Sequence, residues 1–115
     1  MSDIAKRVRF ETLRSLPFGS LSGAYTAIGS ALTNPARLVK LTNDTDVNIF
    51  VSIDGTNDHI FIGPSSYALY DFGSNRTNLS GSLDIANGTR FFAREESAAA
   101  TSGAVYLEVI YASIT

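Results

Sequence analysis

Apolar and polar residues alternate with a period of two along most of the chain, and the 3.6-residue period of an amphipathic helix is nearly absent. Val47, Ile49, Val51 and Ile53 occupy one face of the clearest run, and a second run at residues 105–111 alternates in the same way. Strict alternation of this kind is typical of a β-strand with one buried face. Both runs are therefore predicted to be strands of a sheet.

Shorter alternating runs predict further strands, and turn residues separate them. The runs cover residues 7–12, 24–28, 37–42, 60–62, 67–72 and 89–94. The turns are marked by Asn43-Asp44-Thr45-Asp46, Asp54-Gly55, Gly63-Pro64 and Asn87-Gly88. Leu83 and Ile85 fit either a short strand or one helical turn. About eight short strands at this spacing predict an all-β fold, an antiparallel β-sandwich of jelly-roll-like or Ig-like type.

The inward faces of the predicted strands supply the predicted core. Its members are apolar residues, most of them at alternating positions: Phe10, Val39, Leu41, Val47, Ile49, Val51, Ile53, Ile60, Ile62, Leu69, Phe92, Val105, Leu107 and Val109. The chain has 115 residues, which is enough to bury such a core in one domain.

The start of the chain differs from the rest in charge. Lys6, Arg7, Arg9 and Arg14 are four of the nine basic residues, whereas five basic and nine acidic residues follow Arg14. We predict that residues 1–22 form an N-terminal arm with a possible first strand, and that residues 23–115 form the sandwich domain. Such an arm could pair with a neighbouring subunit by adding a strand to its sheet edge. The alternative is a first strand whose charged side chains simply face solvent.

Overall composition narrows the functional classes. The formal net charge is −2, which argues against a specific nucleic-acid binder. The chain has no cysteine and no apolar run of signal-peptide or membrane-span length. We therefore expect a protein that is made in a cytoplasm, has no membrane partner and stays soluble until it assembles.

Catalytic motifs are sparse. His59 is the single histidine, and no Gly-x-Ser-x-Gly motif accompanies it, so an exposed loop histidine is expected. Glu95, Glu96 and Glu108 do not form a recognisable carboxylate pair for glycoside hydrolysis. We predict that the protein is not an enzyme and has no catalytic residue.

Oxygen ligands for a metal ion occur in two predicted loops. They are Asp44, Asp46, Asp54, Asn57 and Asp58, and the two loops could lie at one end of a sandwich. Their spacing matches no calcium-binding loop, and Asx residues are also common in turns. We predict no metal-binding or cofactor-binding residue.

Several predicted strands carry large apolar groups on both faces, which favours contact with another subunit. The predicted assembly interface combines these groups with the basic arm: Lys6, Arg7, Arg9, Phe50, Phe61, Tyr70, Phe72 and Tyr106. One alternative is that the polar segment 73–81 folds over the aromatic positions. Another is a carbohydrate-binding sandwich in which Tyr67, Tyr70 or Tyr106 stacks on a sugar.

Four segments extend this interpretation, because together they resemble small virion structural proteins of tailed bacteriophages. They are Leu13-Arg14-Ser15-Leu16-Pro17-Phe18-Gly19-Ser20, Leu32-Thr33-Asn34-Pro35-Ala36-Arg37, Ser52-Ile53-Asp54-Gly55-Thr56-Asn57-Asp58-His59 and Gly103-Ala104-Val105-Tyr106-Leu107-Glu108-Val109-Ile110-Tyr111. The resemblance covers most of the chain from Phe10 to Tyr111 and implies a β-sandwich module built into the particle. It brings no active-site residues with it.

The resemblance also implies a location and a set of partners. The protein is expected in the virion as a head-to-tail connector (neck ring) or tail protein, after synthesis in the host cytoplasm. A capsid cement or decoration protein is the alternative. The expected partners are other copies of the chain and other virion proteins, such as the portal, adaptor, tail or major capsid protein.

Overall fold

The structure is a computed structural model, which describes residues 7–72 and 84–113. Within these ranges the chain contains nine β-strands and no α-helix. The strands are β1 Arg7–Phe10, β2 Arg14–Pro17, β3 Thr26–Ala27, β4 Leu38–Asn43, β5 Ile49–Ser52, β6 Ile60–Ile62, β7 Ser66–Asp71, β8 Phe92–Glu95 and β9 Ala104–Ser113. A short 3₁₀ turn at Phe18–Ser20 follows β2.

The strands form two antiparallel sheets that pack against each other. Sheet I has the order β1-β9-β4-β7, and β2 pairs with β9 on the same side as β1. Sheet II has the order β3-β8-β5-β6. The predicted all-β antiparallel sandwich is therefore confirmed.

The core lies between the two sheets, and most of it was predicted from the alternation. The predicted core residues that are buried come from the central strands and the segments beside them: Val39, Leu41, Val47, Ile49, Val51, Ile62, Val105, Leu107 and Val109. The core also contains residues that the prediction omitted, namely Leu16, Leu21, Ile28, Leu32, Ala36, Phe91 and Ala93. Most of the omitted residues lie in the irregular segment before β4, where no two-residue period marks burial.

A β-bulge between β1 and β2 explains why the core prediction for Phe10 is wrong. Phe10 pairs with Ile110 and Arg14 pairs with Leu107, so four steps along the edge match three steps along β9. The extra residue reverses which side chains point inward. Phe10 is consequently 68% exposed, whereas Arg14 is buried.

Three other core predictions are also wrong, and the predicted core residue Ile60 is only partly buried against the core. Leu69 and Ile53 are exposed, and Phe92 is only partly buried. On β7 the buried partner Leu41 pairs with Ala68, which places Leu69 on the opposite face. Ile53 lies just beyond the end of β5, where no neighbouring strand covers it.

The turn between β4 and β5 forms as its Asx pattern predicts. Asn43 is fully buried, and its Oδ1 accepts a hydrogen bond from the Thr45 amide at 3.0 Å. Its Nδ2 donates to the carbonyl oxygens of Val47, Ile62 and Gly63 at 2.8–3.1 Å. One side chain therefore satisfies buried backbone groups from two adjoining segments.

The described part of the N-terminal region lies along this chain's own sheet I, because both β1 and β2 pair with β9. Residues 1–6, including Lys6, lie outside the described residues, as does the segment 73–81. Ile85 forms an isolated bridge with Ala36, and Leu83 lies outside the described residues.

Candidate interaction surface

The outer face of sheet I carries an unusual amount of exposed apolar surface. Cross-strand partners share a face, so the pairs Phe10–Ile110, Val8–Ala112 and Thr42–Tyr67 all point away from the core. Val8 is 69%, Tyr67 63% and Leu69 51% exposed. We define the outer patch as Val8, Phe10, Leu13, Tyr67, Leu69, Tyr106 and Ile110. A sheet face that meets only water normally carries polar groups, so the outer patch is suited to contact with another molecule.

A shallow depression of about 600 Å³ lies within this face. Its lining comes from β4, β9 and the bulge: Phe10, Glu11, Leu13, Lys40, Thr42, Tyr106, Glu108 and Val109. The bulge forms one wall of the depression, and Leu13 of the bulge is 56% exposed there. The face therefore has a recess on its β9 side.

Two opposite charges occupy the middle of the same face. Lys40 on β4 and Glu108 on β9 are direct cross-strand partners. The Lys40 ammonium lies 4.8 Å from the centre of the Tyr67 ring. Within residues 7–72 and 84–113 no ion pair joins Lys40 to Glu108. Both residues are partly exposed, so an approaching molecule can reach them.

The outer face of sheet II has a different character, because an arginine organises it. Arg94 donates to the Asp58 carboxylate at 2.9 and 3.2 Å, and its guanidinium lies 4.8 Å from the Phe50 ring centre. Phe50 meets Phe61 edge to face at 5.6 Å. The Tyr25 hydroxyl also donates to Asp58. The polar groups of this cluster therefore bind one another, and the cluster needs no further partner on this face.

The ionisation of this cluster follows from its contacts. Burial and the hydrogen bond to Asp58 raise the pKa of Tyr25 to about 12. The hydrogen bonds from Arg94 and Tyr25 hold the pKa of Asp58 below its usual value. Both shifts favour the observed arrangement, in which a neutral phenol and a guanidinium donate to one carboxylate.

The structure distributes the predicted interface residues over several surfaces. Arg7 and Arg9 are exposed on the edge strand β1, and Tyr106 lines the depression on sheet I. Phe50 and Phe61 lie on the outer face of sheet II. The two remaining described residues, Tyr70 and Phe72, stack on each other at β7.

The rings of Tyr70 and Phe72 are 6.2 Å apart. Tyr70 pairs with the buried Val39 but is itself 38% exposed, and Phe72 packs against the core. The faces of β7 are thus the reverse of the predicted ones, with Tyr67 and Leu69 pointing outward. The exposed aromatic and aliphatic residues of β7 were present in the pattern, but only strand pairing shows which set is exposed.

The candidate catalytic and metal-binding residues stabilise turns through local hydrogen bonds. His59 is exposed, and its Nδ1 accepts a hydrogen bond from the Ile53 amide at 3.1 Å. Asp54 accepts from the amides of Thr56 and Asn57 at 2.8 and 2.9 Å, which holds its pKa well below the ordinary value. These residues close the loop between β5 and β6.

The two acidic loops do not meet. Asp44 and Asp46 precede β5, whereas Asp54 and Asp58 follow it, so the loops lie at opposite ends of that strand. The expectation that they share one end of the sandwich is therefore wrong. In the described part of the chain no group of three or more His, Cys, Asp or Glu side chains is placed to hold a metal ion.

Comparison of the chain with protein-family models, curated proteins and solved structures finds no match. Among the residues that the structure describes, no helix is long and apolar enough to cross a membrane. The geometry of the outer patch is therefore the strongest structural guide to function.

Proposed function

We propose that this chain is a non-enzymatic structural subunit of a tailed-phage virion, which assembles through the outer face of sheet I. The favoured role is that of a head-to-tail connector (neck ring) or a tail protein. The sequence resemblance supports the virion assignment. The outer patch supports assembly, and it is the single observation that carries this part of the proposal.

The energetic argument rests on exposure. Fully burying one large apolar side chain contributes ~1.5–3 kcal/mol. Val8, Phe10, Tyr67 and Leu69 are each more than half exposed on one face, so a partner that covers them gains several such contributions. The central Lys40 and Glu108 then restrict which partner fits, because buried charges require complementary groups. A face of this type suits a specific protein contact.

A capsid cement or decoration protein would use the same face to hold capsid subunits together. A second function, carbohydrate binding, is favoured by one observation. The depression combines the Phe10 and Tyr106 rings with polar side chains of Thr42, Lys40 and Glu108. Sugar sites use such a mixture of aromatic and hydrogen-bonding groups.

The test compares two paired variants. Phe10→Ser with Leu69→Ser removes apolar groups from the outer patch, and Phe61→Ser with Ile53→Ser removes exposed apolar groups of similar size that lie outside it. Particles of the phage that encodes the chain are purified and analysed by peptide mass spectrometry. We expect the chain in wild-type particles, loss of incorporation with the outer-patch variant and normal incorporation with the control.

Two results would overturn the proposal. One is absence of the chain from purified particles, and the other is equal incorporation of both paired variants. Binding of the purified chain to an immobilised glycan, abolished by Tyr106→Ala, would support the carbohydrate alternative instead.

A further inference from the structure

The outer face of sheet I has a distinct order from one side to the other. Exposed Tyr67 and Leu69 stand on β7, Lys40 and Glu108 occupy the two central strands, and the depression beside Leu13 lies on the far side. From β7 across to β1, the face thus carries an apolar projection, a positive charge, a negative charge and a recess. A surface with that order can complement a rotated copy of itself.

Of the two face-to-face twofold rotations aligned with or across the strands, one satisfies the central charges. A twofold axis parallel to the strands, between β4 and β9, places Lys40 opposite Glu108 of the second copy because the two residues are level in the register. A twofold axis perpendicular to the strands places Lys40 opposite Lys40 and Glu108 opposite Glu108. Like charges brought together in an interface are unfavourable, so the parallel axis is selected.

The same rotation matches the apolar parts. It places β7 of one copy over the β1–β2 edge of the other, so Leu69 faces the recess beside Leu13. Two sheets packed in this aligned manner lie about 10 Å apart, a distance that long side chains such as Lys40 and Glu108 can bridge. Charge and shape therefore specify the same orientation.

We infer that the partner of the outer patch is a second copy of this chain, bound face to face about a twofold axis along the strands, with Lys40 of each copy paired to Glu108 of the other. This inference rests on the proposed function, since it names the molecule that covers the proposed assembly face. The dimer would be a building unit of the larger particle.

The size of the face sets the expected strength. Four strands about 4.8 Å apart, with about six residues each at 3.3 Å, give a face of roughly 400 Å² in projection. Stable interfaces typically bury about 800 Å² of accessible surface per partner, so this contact lies at the small end. We expect a dimer that dissociates on dilution into the micromolar range.

Charge exchange on the full-length chain tests the inference. Lys40→Glu alone and Glu108→Lys alone each place like charges opposite each other twice per dimer. We expect each to weaken dimerisation about tenfold or more, measured by sedimentation velocity across a concentration series. The double variant Lys40→Glu/Glu108→Lys should dimerise like the wild type.

Mixing separates the contact between copies from the contact within one sheet. A one-to-one mixture of the Lys40→Glu chain and the Glu108→Lys chain restores both opposite-charge pairs, so a heterodimer is expected at concentrations where neither chain alone dimerises. A rescue confined to one chain's own sheet could not produce that result. The chain lacks cysteine, so single labelling cysteines on the face away from sheet I can report the mixture by fluorescence.

The outcomes also separate this inference from the proposed function. A wild-type chain that remains monomeric at millimolar concentration, or a mixture that does not pair, overturns the dimer. If Phe10→Ser/Leu69→Ser still fails to enter particles in that case, the proposed function stands with a different virion protein on the face. If the charge variants change dimerisation as expected but the chain is absent from purified particles, the dimer stands and the proposed virion function is overturned.

Discussion

The Glu11 carboxylate accepts a hydrogen bond from the Arg14 guanidinium at 2.7 Å beneath the bulge that joins β1 to β2. The two side chains are only 4% and 8% exposed. Glu11 also accepts from the Asn34 amide at 2.9 Å, while Arg14 donates to the Ser30 carbonyl at 2.8 Å. The pair thus fastens the edge of sheet I to the segment before β4 and holds one wall of the depression in place.

Breaking this pair should destabilise the fold. Arg14→Met or Glu11→Gln leaves the other member buried without its charge partner, which typically lowers the free energy of unfolding by about 3–5 kcal/mol. Urea unfolding followed by circular dichroism measures the change. Arg7→Met, at an exposed position on β1, is the control and should change stability by less than about 0.5 kcal/mol. Losses below about 1 kcal/mol in both pair variants would contradict this role.

Glu11 should also resist protonation. Burial opposes its ionisation, but the bonds from Arg14 and Asn34 outweigh this effect and hold the pKa of Glu11 below its usual value. The bulge wall is consequently expected to stay intact in mildly acidic solution.

Gly103 should not tolerate a side chain. Its φ is +84°, and an added Cβ would lie 1.8 Å from the carbonyl oxygen of Asp44, which is backbone and cannot rotate away. Gly103→Ala is therefore expected to lower stability by more than about 4 kcal/mol or to prevent folding.

Gly88 provides the matched control because its φ is +87° but nothing lies within 4 Å of the added Cβ. Gly88→Ala should lose only about 1–2 kcal/mol, the strain of a left-handed backbone conformation. Equal midpoints for the two variants in thermal or urea unfolding would show that Gly103 is not in close contact with Asp44.

Tyr25 should give the fold an alkaline limit. Its pKa is raised to about 12 from 10.0, so the folded state holds its proton more tightly than the unfolded state. Its contribution to stability is full below pH 10 and is lost as pH rises from about 10 through 12. Absorbance of the phenolate near 295 nm, recorded during a pH titration, should show a late component that Tyr25→Phe removes.

The control for this titration is Tyr67→Phe, on the opposite sheet, which should leave the late component in place. Asp58→Asn should shift the late component to lower pH because it removes the negative charge that raises the pKa of Tyr25. An unchanged titration in Tyr25→Phe would contradict the assigned cluster.

The amino-acid pattern alone was sufficient for the fold class. The two-residue period of residues 47–53 and 105–111 could be satisfied only by strands with one buried side, and both regions form central strands. The Asn43 turn was equally readable, since its side chain bonds its own local backbone. These features depend on neighbours in sequence, which is why sequence analysis detects them.

The tertiary structure decided which side of each strand faces the core. Alternation states that Tyr67 and Leu69 share a face and that Ala68 and Tyr70 share the other, but pairing with β4 decides which set lies on the core side of the sheet. At β1 a single extra residue in the bulge exchanges Phe10 for Arg14 as the inward-pointing side chain. This change of register depends on backbone hydrogen bonds to a strand that is distant in sequence, so the local alternation of residues does not reveal it.

The outer patch likewise arises from the fold, because it combines segments near residues 10, 68 and 108 that only the order β1-β9-β4-β7 brings together. The sequence by itself determined that this chain forms strands, where many of its turns lie and that several strands carry apolar residues on both faces. Sheet order and register determined which of those residues remain outside, because burial depends on contacts between segments far apart along the chain.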